Sequence, residues 1–188
     1  MNPYSAILMA GGRSSRMGAD KALLLLEGRP LWKIQREKLG TIADEILISA
    51  REGMLDTPVI PDQVPGLGPL GGLESALSIA SHERVVVLGV DMPLMTSSYL
   101  ASLLEKSTTD CGIVPVLGGY FQGLAAVYPK AILPLLREVL GGSDHSMQYL
   151  NRLAVAEGLM QERPVLEDEA ILFQNWNTPE DFPPAILP

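Results

Sequence analysis

The segment richest in chemistry lies near the start of the 188-residue chain: Leu8-Met9-Ala10-Gly11-Gly12-Arg13-Ser14-Ser15-Arg16-Met17-Gly18-Ala19-Asp20-Lys21. Glycines let backbone amides approach an anion without side-chain obstruction. Ser14 and Ser15 add hydroxyl donors, and Arg16 and Lys21 add positive charge. Such a loop is built to cradle phosphate. It has no Gly-Lys-Ser/Thr, so it is not a Walker A loop, and it does not match Gly-x-Gly-x-x-Gly. Taken alone, the same composition also describes a surface turn with solvated charges.

Three further segments carry candidate groups. Asp91 closes the run Val85-Val86-Val87-Leu88-Gly89-Val90-Asp91-Met92-Pro93. A carboxylate just past a buried strand faces the ligand crevice of an open α/β sheet, where it suits Mg²⁺ shared with substrate phosphates. Its structural reading is a cap of the turn before Pro93. Asp62 precedes a loop rich in glycine and proline, Gly66-Leu67-Gly68-Pro69-Leu70-Gly71-Gly72. Amides at a helix start there can bind an anion or a base edge, and the Asp62 carboxylate can accept from the N1–H and exocyclic amine of a guanine. Read alone, the segment is better explained as a structural loop. In Asn175-Trp176-Asn177-Thr178-Pro179-Glu180-Asp181, Thr178 and Pro179 look like a helix start, which leaves the amides of Asn175 and Asn177 free for a metal or a substrate. The two histidines, His82 and His145, are too far apart in sequence to suggest a metal site. Cys111 reads as a small buried hydrophobe within a strand.

The elements around these groups alternate. Extended runs are expected at Ser5–Ala10, Asp44–Ser49, Thr57–Pro61, Arg84–Val90, Cys111–Pro115, Leu124–Tyr128 and Ala170–Phe173. Helices are expected at Leu31–Leu39, Pro69–Ala80, Ser97–Glu105 (with Thr96 as N-cap), Pro129–Leu140 and Ser146–Glu157. Val85 to Leu88 are apolar on consecutive positions, the mark of a strand buried on both faces. The pattern predicts an α/β fold, a single domain with a mostly parallel Rossmann-like sheet and helices on both faces. Hydrophobic residues are 47% of the chain, ample for such a core.

Composition narrows the function classes. The balance of 14 basic against 22 acidic residues gives a net charge of −8. An acidic chain repels a phosphate backbone, so nucleic acid is not the expected partner. No apolar run is long enough to span a bilayer, and no basic region precedes the first apolar stretch, so neither membrane nor signal peptide is expected. One cysteine excludes an internal disulfide and suggests a reducing compartment, the cytoplasm.

In order, the Gly11–Lys21 loop, Gly68-Pro69-Leu70-Gly71-Gly72, Asp91-Met92-Pro93 and Asn177-Thr178-Pro179-Glu180-Asp181 resemble the motifs of the nucleotidyltransferases related to sugar-phosphate nucleotidylyltransferases. Among these the ordered set is similar to the MobA-like molybdenum cofactor guanylyltransferases, over about residues 5–182. Gln122-Gly123-Leu124-Ala125-Ala126-Val127-Tyr128 resembles the family's substrate-side strand. The resemblance implies the nucleotide-diphospho-sugar transferase type of fold, with a nucleotide half over about 1–95, an acceptor half over about 96–182 and a proline-rich tail at 183–188. It implies transfer of GMP from GTP to the terminal phosphate of molybdopterin or Mo-molybdopterin, dependent on Mg²⁺, with pyrophosphate leaving and no covalent enzyme intermediate. Transient contact with molybdenum-insertion or molybdoenzyme maturation proteins would follow.

Residue by residue, the resemblance assigns Met9, Ala10, Gly11, Gly12 and Ser14 to the nucleotide, Arg16 to the β- and γ-phosphates, and Lys21 to charge at the α-phosphate. Asp62 would read guanine, Asp91 would hold the metal, and Asn177, with Asn175, would line the acceptor side. Arg16, Lys21 and Asp91 form the implied catalytic set. The chain departs from the family at Ser49, a nucleotide-side position where many members carry Asn, and in having one glycine, Gly18, before Ala19-Asp20-Lys21. A molybdopterin cytidylyltransferase (or another small nucleotidyltransferase) and a non-catalytic nucleotide-binding accessory module are the alternatives. The first usually has Ala-Ala-Gly in the loop, and the second would tolerate loss of Lys21 or Asp91.

Overall fold

The computed structural model describes residues 3–11, 20–63 and 66–176. Its centre is a seven-stranded mixed sheet in the order β4-β1-β5-β8-β6-β7, with β9 also paired to β6. The strands are β1 (Ser5–Met9), β4 (Glu45–Ser49), β5 (Arg84–Gly89), β6 (Gly112–Leu117), β7 (Tyr120–Phe121), β8 (Ala125–Pro129) and β9 (Met160–Pro164). A small separate hairpin pairs β2 (Leu25–Leu26) with β3 (Arg29–Pro30). β1 runs parallel to both β4 and β5, and β6 parallel to β9, whereas β8 runs against β5 and β6.

The consecutive apolar residues of β1 and β5 divide between two layers, because successive side chains leave opposite faces of a strand. Ala6, Leu8, Val86 and Leu88 pack with Leu31, Trp32 and Leu39 of α1 (Leu31–Gly40) and with Tyr99, Leu100 and Leu103 of α3 (Ser97–Lys106). Ile7, Val85 and Val87 pack with Leu70, Leu73 and Leu77 of α2 (Pro69–Ile79), with Leu136 and Val139 of α4 (Leu133–Gly141), and with Leu150 and Ala154 of α5 (Met147–Ala156). Both faces of the sheet are therefore covered. Thr96 caps α3 as expected, accepting from Tyr99 N–H at 3.2 Å, and Ser146 does the same for α5 through Tyr149 N–H at 3.2 Å.

Three expectations change. Ala170–Phe173 is not a strand but the end of a 3-10 helix, Glu167–Phe173, in which only Phe173 is buried. The last strand is β9 instead. The helix expected from Pro129 starts as a 3-10 turn, Lys130–Ile132, before α4. Pro134, at the second position of α4, has no N–H to continue the earlier turn. Of Thr57–Pro61, only Ile60 makes a strand-like bridge, to Ser49. No helix among the described residues is long and apolar enough to cross a membrane.

Candidate active site

The carboxyl ends of β4, β1 and β5 lie level, with Met9 paired to Ser49 on one side and to Gly89 on the other. The chain turns beyond β4 and β5. The amides of Ala10 and Gly11 both donate to the Ser49 carbonyl at 2.9 Å, and Val90 N–H donates to the Met9 carbonyl at 3.1 Å. The backbone donors at Ala10 and Gly11 are thus engaged by the protein itself. Gly12, Ser14 and Arg16 lie outside the described residues, as does Asn177.

On one flank Met9, Ser49 and Asp62 meet the first turn of α2. A side chain on Gly72 would place its Cβ 2.3 Å from Ser49 Oγ, 2.9 Å from Asp62 Oδ1 and 3.2 Å from Met9 Cε. The helix therefore needs glycine there to approach these groups. Gly68, just before Pro69, has φ 63° and ψ −152°, a conformation reserved for glycine, and it sets the entry angle of α2. The Asp62 loop is pinned to the same helix: Gln63 N–H donates to Ser75 Oγ at 3.1 Å, and Ser75 Oγ donates to the Gly71 carbonyl at 2.9 Å. Asp62 itself accepts no hydrogen bond among the described residues, and burial pushes its carboxyl above the usual range.

On the other flank Lys21 Nζ lies 3.2 Å from Asp91 Oδ2. Both side chains keep a window to solvent, at 25% and 21% exposure. Asp91 Oδ1 sits over Gly89, where an added Cβ would come within 2.9 Å. The chain returns to this point at its far end, where Trp176 N–H donates to the Asp91 carbonyl at 2.8 Å. Trp176 is buried in the α1–α3 layer, and the exposed Asn175 is carried to within one residue of that bond.

Sequence reasoning did not reach the supports. Gln35 and Lys38 of α1 hold the loop after Asp91: Gln35 Nε2 donates to the Met92 carbonyl at 2.7 Å, and Lys38 Nζ donates to the carbonyls of Pro93 at 2.5 Å and Met95 at 3.0 Å. Burial lowers the Lys38 pKa. Beyond β5, Gly89 N–H donates to the Leu124 carbonyl at 2.7 Å. That loop is fixed by Tyr128, whose hydroxyl donates to the Gly123 carbonyl at 3.0 Å and also lies 3.1 Å from Asn151 Oδ1. Gln148 brackets Phe121, accepting from its N–H at 3.0 Å and donating to its carbonyl at 2.7 Å. A buried Gln or Tyr in a helix or strand pattern carries no sequence signal of its carbonyl partner.

Cys111 is half-exposed just before β6, not buried within it, and its thiol pKa is raised by desolvation, so it stays a thiol. His145 lies in an exposed loop, as expected, with Nε2 3.0 Å from the Gly142 carbonyl. Among the described residues no three His, Cys, Asp or Glu side chains cluster to hold a metal by themselves.

A desolvated acceptor, a cation, an open carboxylate and three aligned strand ends suit a nucleotide at its base and its phosphates. Comparison with known proteins agrees. The family model for the MobA-like NTP transferase domain matches residues 6–156. A Deinococcus radiodurans protein named probable molybdenum cofactor guanylyltransferase is 37% identical over 187 residues, covering 97% of this chain and 93% of its own length. A Pseudomonas putida molybdenum cofactor guanylyltransferase is 30% identical over 186 residues, covering 95% of each chain. The fold also matches molybdopterin-guanine dinucleotide biosynthesis protein A from Archaeoglobus fulgidus, with a TM-score of 0.73 at 22% identity and 94% of each chain covered.

Proposed function

The chain belongs to the MobA-like NTP transferase family, and from that premise we propose that it transfers GMP from GTP to the terminal phosphate of molybdopterin or its molybdenum-loaded form. Its relatives over nearly the full chain carry the name molybdenum cofactor guanylyltransferase. A terminal-phosphate oxygen attacks the α-phosphorus of GTP, the α–β bridging P–O bond breaks, and pyrophosphate leaves with the bonding pair. A phosphate monoester is largely dianionic at neutral pH, so the attack needs no general base, and the work left to the protein is positioning and charge neutralisation.

The observation that carries the choice of base is Asp62. Its carboxylate is desolvated, accepts no hydrogen bond among the described residues and faces Ser49 and Gly72. Guanine presents two donors on one edge, N1–H and the exocyclic amine, which a carboxylate can accept together. Cytosine presents one donor beside the N3 acceptor, whose lone pair a carboxylate repels. Leaving such a partly buried acceptor unmatched carries a cost, which is how a polar site discriminates. Lys21 stabilises charge at the α-phosphate, and Arg16 holds the β- and γ-phosphates. Asn175 and Asn177 border the acceptor.

The residues present also fit Mg²⁺. A partly exposed carboxylate beside Lys21 and over Gly89 matches an ion that takes one or two carboxylates and completes its shell with water and phosphate oxygens. Asp91 would hold it, and the ion would neutralise phosphate charge. We place the reaction in the cytoplasm, with a molybdoenzyme maturation protein as the natural recipient of the product.

Calorimetric titration with GTP, CTP and ATP, each with and without Mg²⁺, tests the reading. We expect Mg²⁺-dependent binding of GTP above the other two, and loss of that preference in Asp62→Asn. A preference for CTP would move the chain to cytidylyl transfer and make Ser49 the specificity change. Failure of all three, with the pterin acceptor added, would overturn catalysis.

A further inference from the structure

Gln35 is fully buried, yet only one end of its amide is satisfied. Nε2 donates to the Met92 carbonyl at 2.7 Å, while Oε1 has no partner among the described residues. Its neighbours in α1 are the buried apolar residues Leu31, Trp32 and Leu39. A leucine would pack there without an orphaned acceptor, which costs on the order of 1–3 kcal/mol. The donor end is therefore the part of the side chain with a use.

That donor serves the residue immediately after Asp91. The loop has little hold of its own: Met92 N–H reaches the Gly89 carbonyl only at 3.4 Å, Pro93 has no N–H, and Met95 N–H donates to Met92 at 3.1 Å. Lys38 lies three residues on from Gln35, on the same helix face, and takes the carbonyls of Pro93 and Met95. Two side chains of α1 thus bind three carbonyls of the loop, those of Met92, Pro93 and Met95. The same helix is tied at its start to the Lys21 turn, since Leu31 N–H donates to the Leu24 carbonyl at 2.9 Å and Leu24 N–H to the Lys21 carbonyl at 3.1 Å.

We propose that Gln35 and Lys38 are positioning residues that make α1 the common frame for Lys21 and Asp91. They hold the Asp91 loop so that its carboxylate stays open to a divalent cation beside the Lys21 ammonium. The inference rests on the reading of Asp91 as the carboxylate that holds the metal.

The test uses the full chain with Gln35→Leu, Lys38→Met and Lys38→Arg. Gln35→Leu removes the orphaned acceptor along with the donor, so the fold is retained. Titration with Mn²⁺ alone, followed by electron paramagnetic resonance, should show affinity lowered about 10-fold or more in Gln35→Leu and Lys38→Met, the size of effect that supporting groups have on metal sites. Lys38→Arg should restore most of it. Guanylyl transfer should fall in kcat with KM for GTP little changed. Wild-type Mn²⁺ affinity and kcat in both Gln35→Leu and Lys38→Met would overturn the proposal. If the wild-type chain transfers no guanylate, the reaction reading fails, and the Mn²⁺ titration still decides this one. Wild-type protein that binds no Mn²⁺ removes the role given to Asp91 and the proposal with it.

Discussion

The two ends of β4, β1 and β5 are built on opposite rules. At their amino ends Ser5 Oγ donates to Glu45 Oε2 and accepts from His82 N–H at 3.2 Å, with His82 Nδ1 3.0 Å away. Glu45 also accepts from Ser81 N–H at 2.8 Å and Ser81 Oγ at 2.7 Å. Burial raises the Glu45 carboxyl, but these hydrogen bonds and the nearby His82 outweigh it, and the net shift is downward. At the carboxyl ends, four residues further along the same strands, Asp62 is partly desolvated and, among the described residues, has no donor, Gln35 Oε1 has no partner among them either, and the Lys21–Asp91 ion pair keeps a window to solvent. One end closes its polar groups on each other and stabilises the fold. The other leaves the Asp62 carboxylate with no donor among the described residues, and that is where a ligand can supply one.

The largest expected effect breaks function alone. Lys21→Ala should lower kcat about 10²–10³-fold, the range for removing one preorganised charge from a transition state. GTP affinity should change much less, and the urea midpoint should stay within error, because a partly exposed ion pair contributes about 0–1 kcal/mol. Steady-state kinetics beside urea unfolding separates the two, and unchanged turnover would end the catalytic assignment of Lys21.

A smaller effect, with the roles exchanged, is expected at the other end. Glu45→Gln keeps the shape but loses charge-assisted acceptance from Ser5 and Ser81, which should cost about 1–2 kcal/mol of stability, at the low end because the carboxylate is partly exposed. Nucleotide binding and turnover should match the wild type. A kinetic defect in this variant would mean that the two ends are coupled, and the contrast between them would collapse.

Much of this was legible in residue types, and the rest failed for identifiable reasons. The run Val85 to Leu88 marks the central strand because both faces are buried, and Thr96 marks the start of α3 because its hydroxyl has an amide to cap. β9 was invisible because only Met160 of Met-Gln-Glu-Arg-Pro is buried, so no apolar pattern exists and backbone pairing to β6 alone makes it a strand. Ala170–Phe173 is apolar but too short to separate strand from helix by period. Two hairpins carried signals in their turns: Glu27-Gly28 and Gly118-Gly119 all have positive φ, at 53°, 73°, 57° and 82°, as a tight hairpin turn requires. The direction of β8 is not written in any local pattern. At the site, Asp62, Asp91 and Lys21 could be named from residue type and position, because charge and a loop after a strand coincide there, whereas Ser49 could be named only through the family resemblance. Gln35, Lys38 and Asn151 could not, since what they hold is another segment's backbone carbonyl or a buried hydroxyl.

The smallest effect sharpens the contrast through its sign. The folded-state pKa of Asp62 is raised, so the ionised carboxylate is worse off folded than unfolded, a penalty present above that pKa and gone below the unfolded value. Asp62→Asn should therefore be more stable than wild type at neutral pH, by a few tenths of a kcal/mol in this half-buried setting, with the gap closing as pH falls through the raised Asp62 pKa. The folded-state pKa of Glu45 is lowered, so its contribution is stabilising above the unfolded value and disappears as pH falls through the lower folded one. Glu45→Gln should be less stable at neutral pH and converge on wild type only in more acidic solution. Urea unfolding of the three proteins at a series of pH values would read both curves. They should approach wild type from opposite sides, Asp62→Asn at the higher pH, and the same sign for both would show that the carboxyl end is as fully satisfied as the amino end.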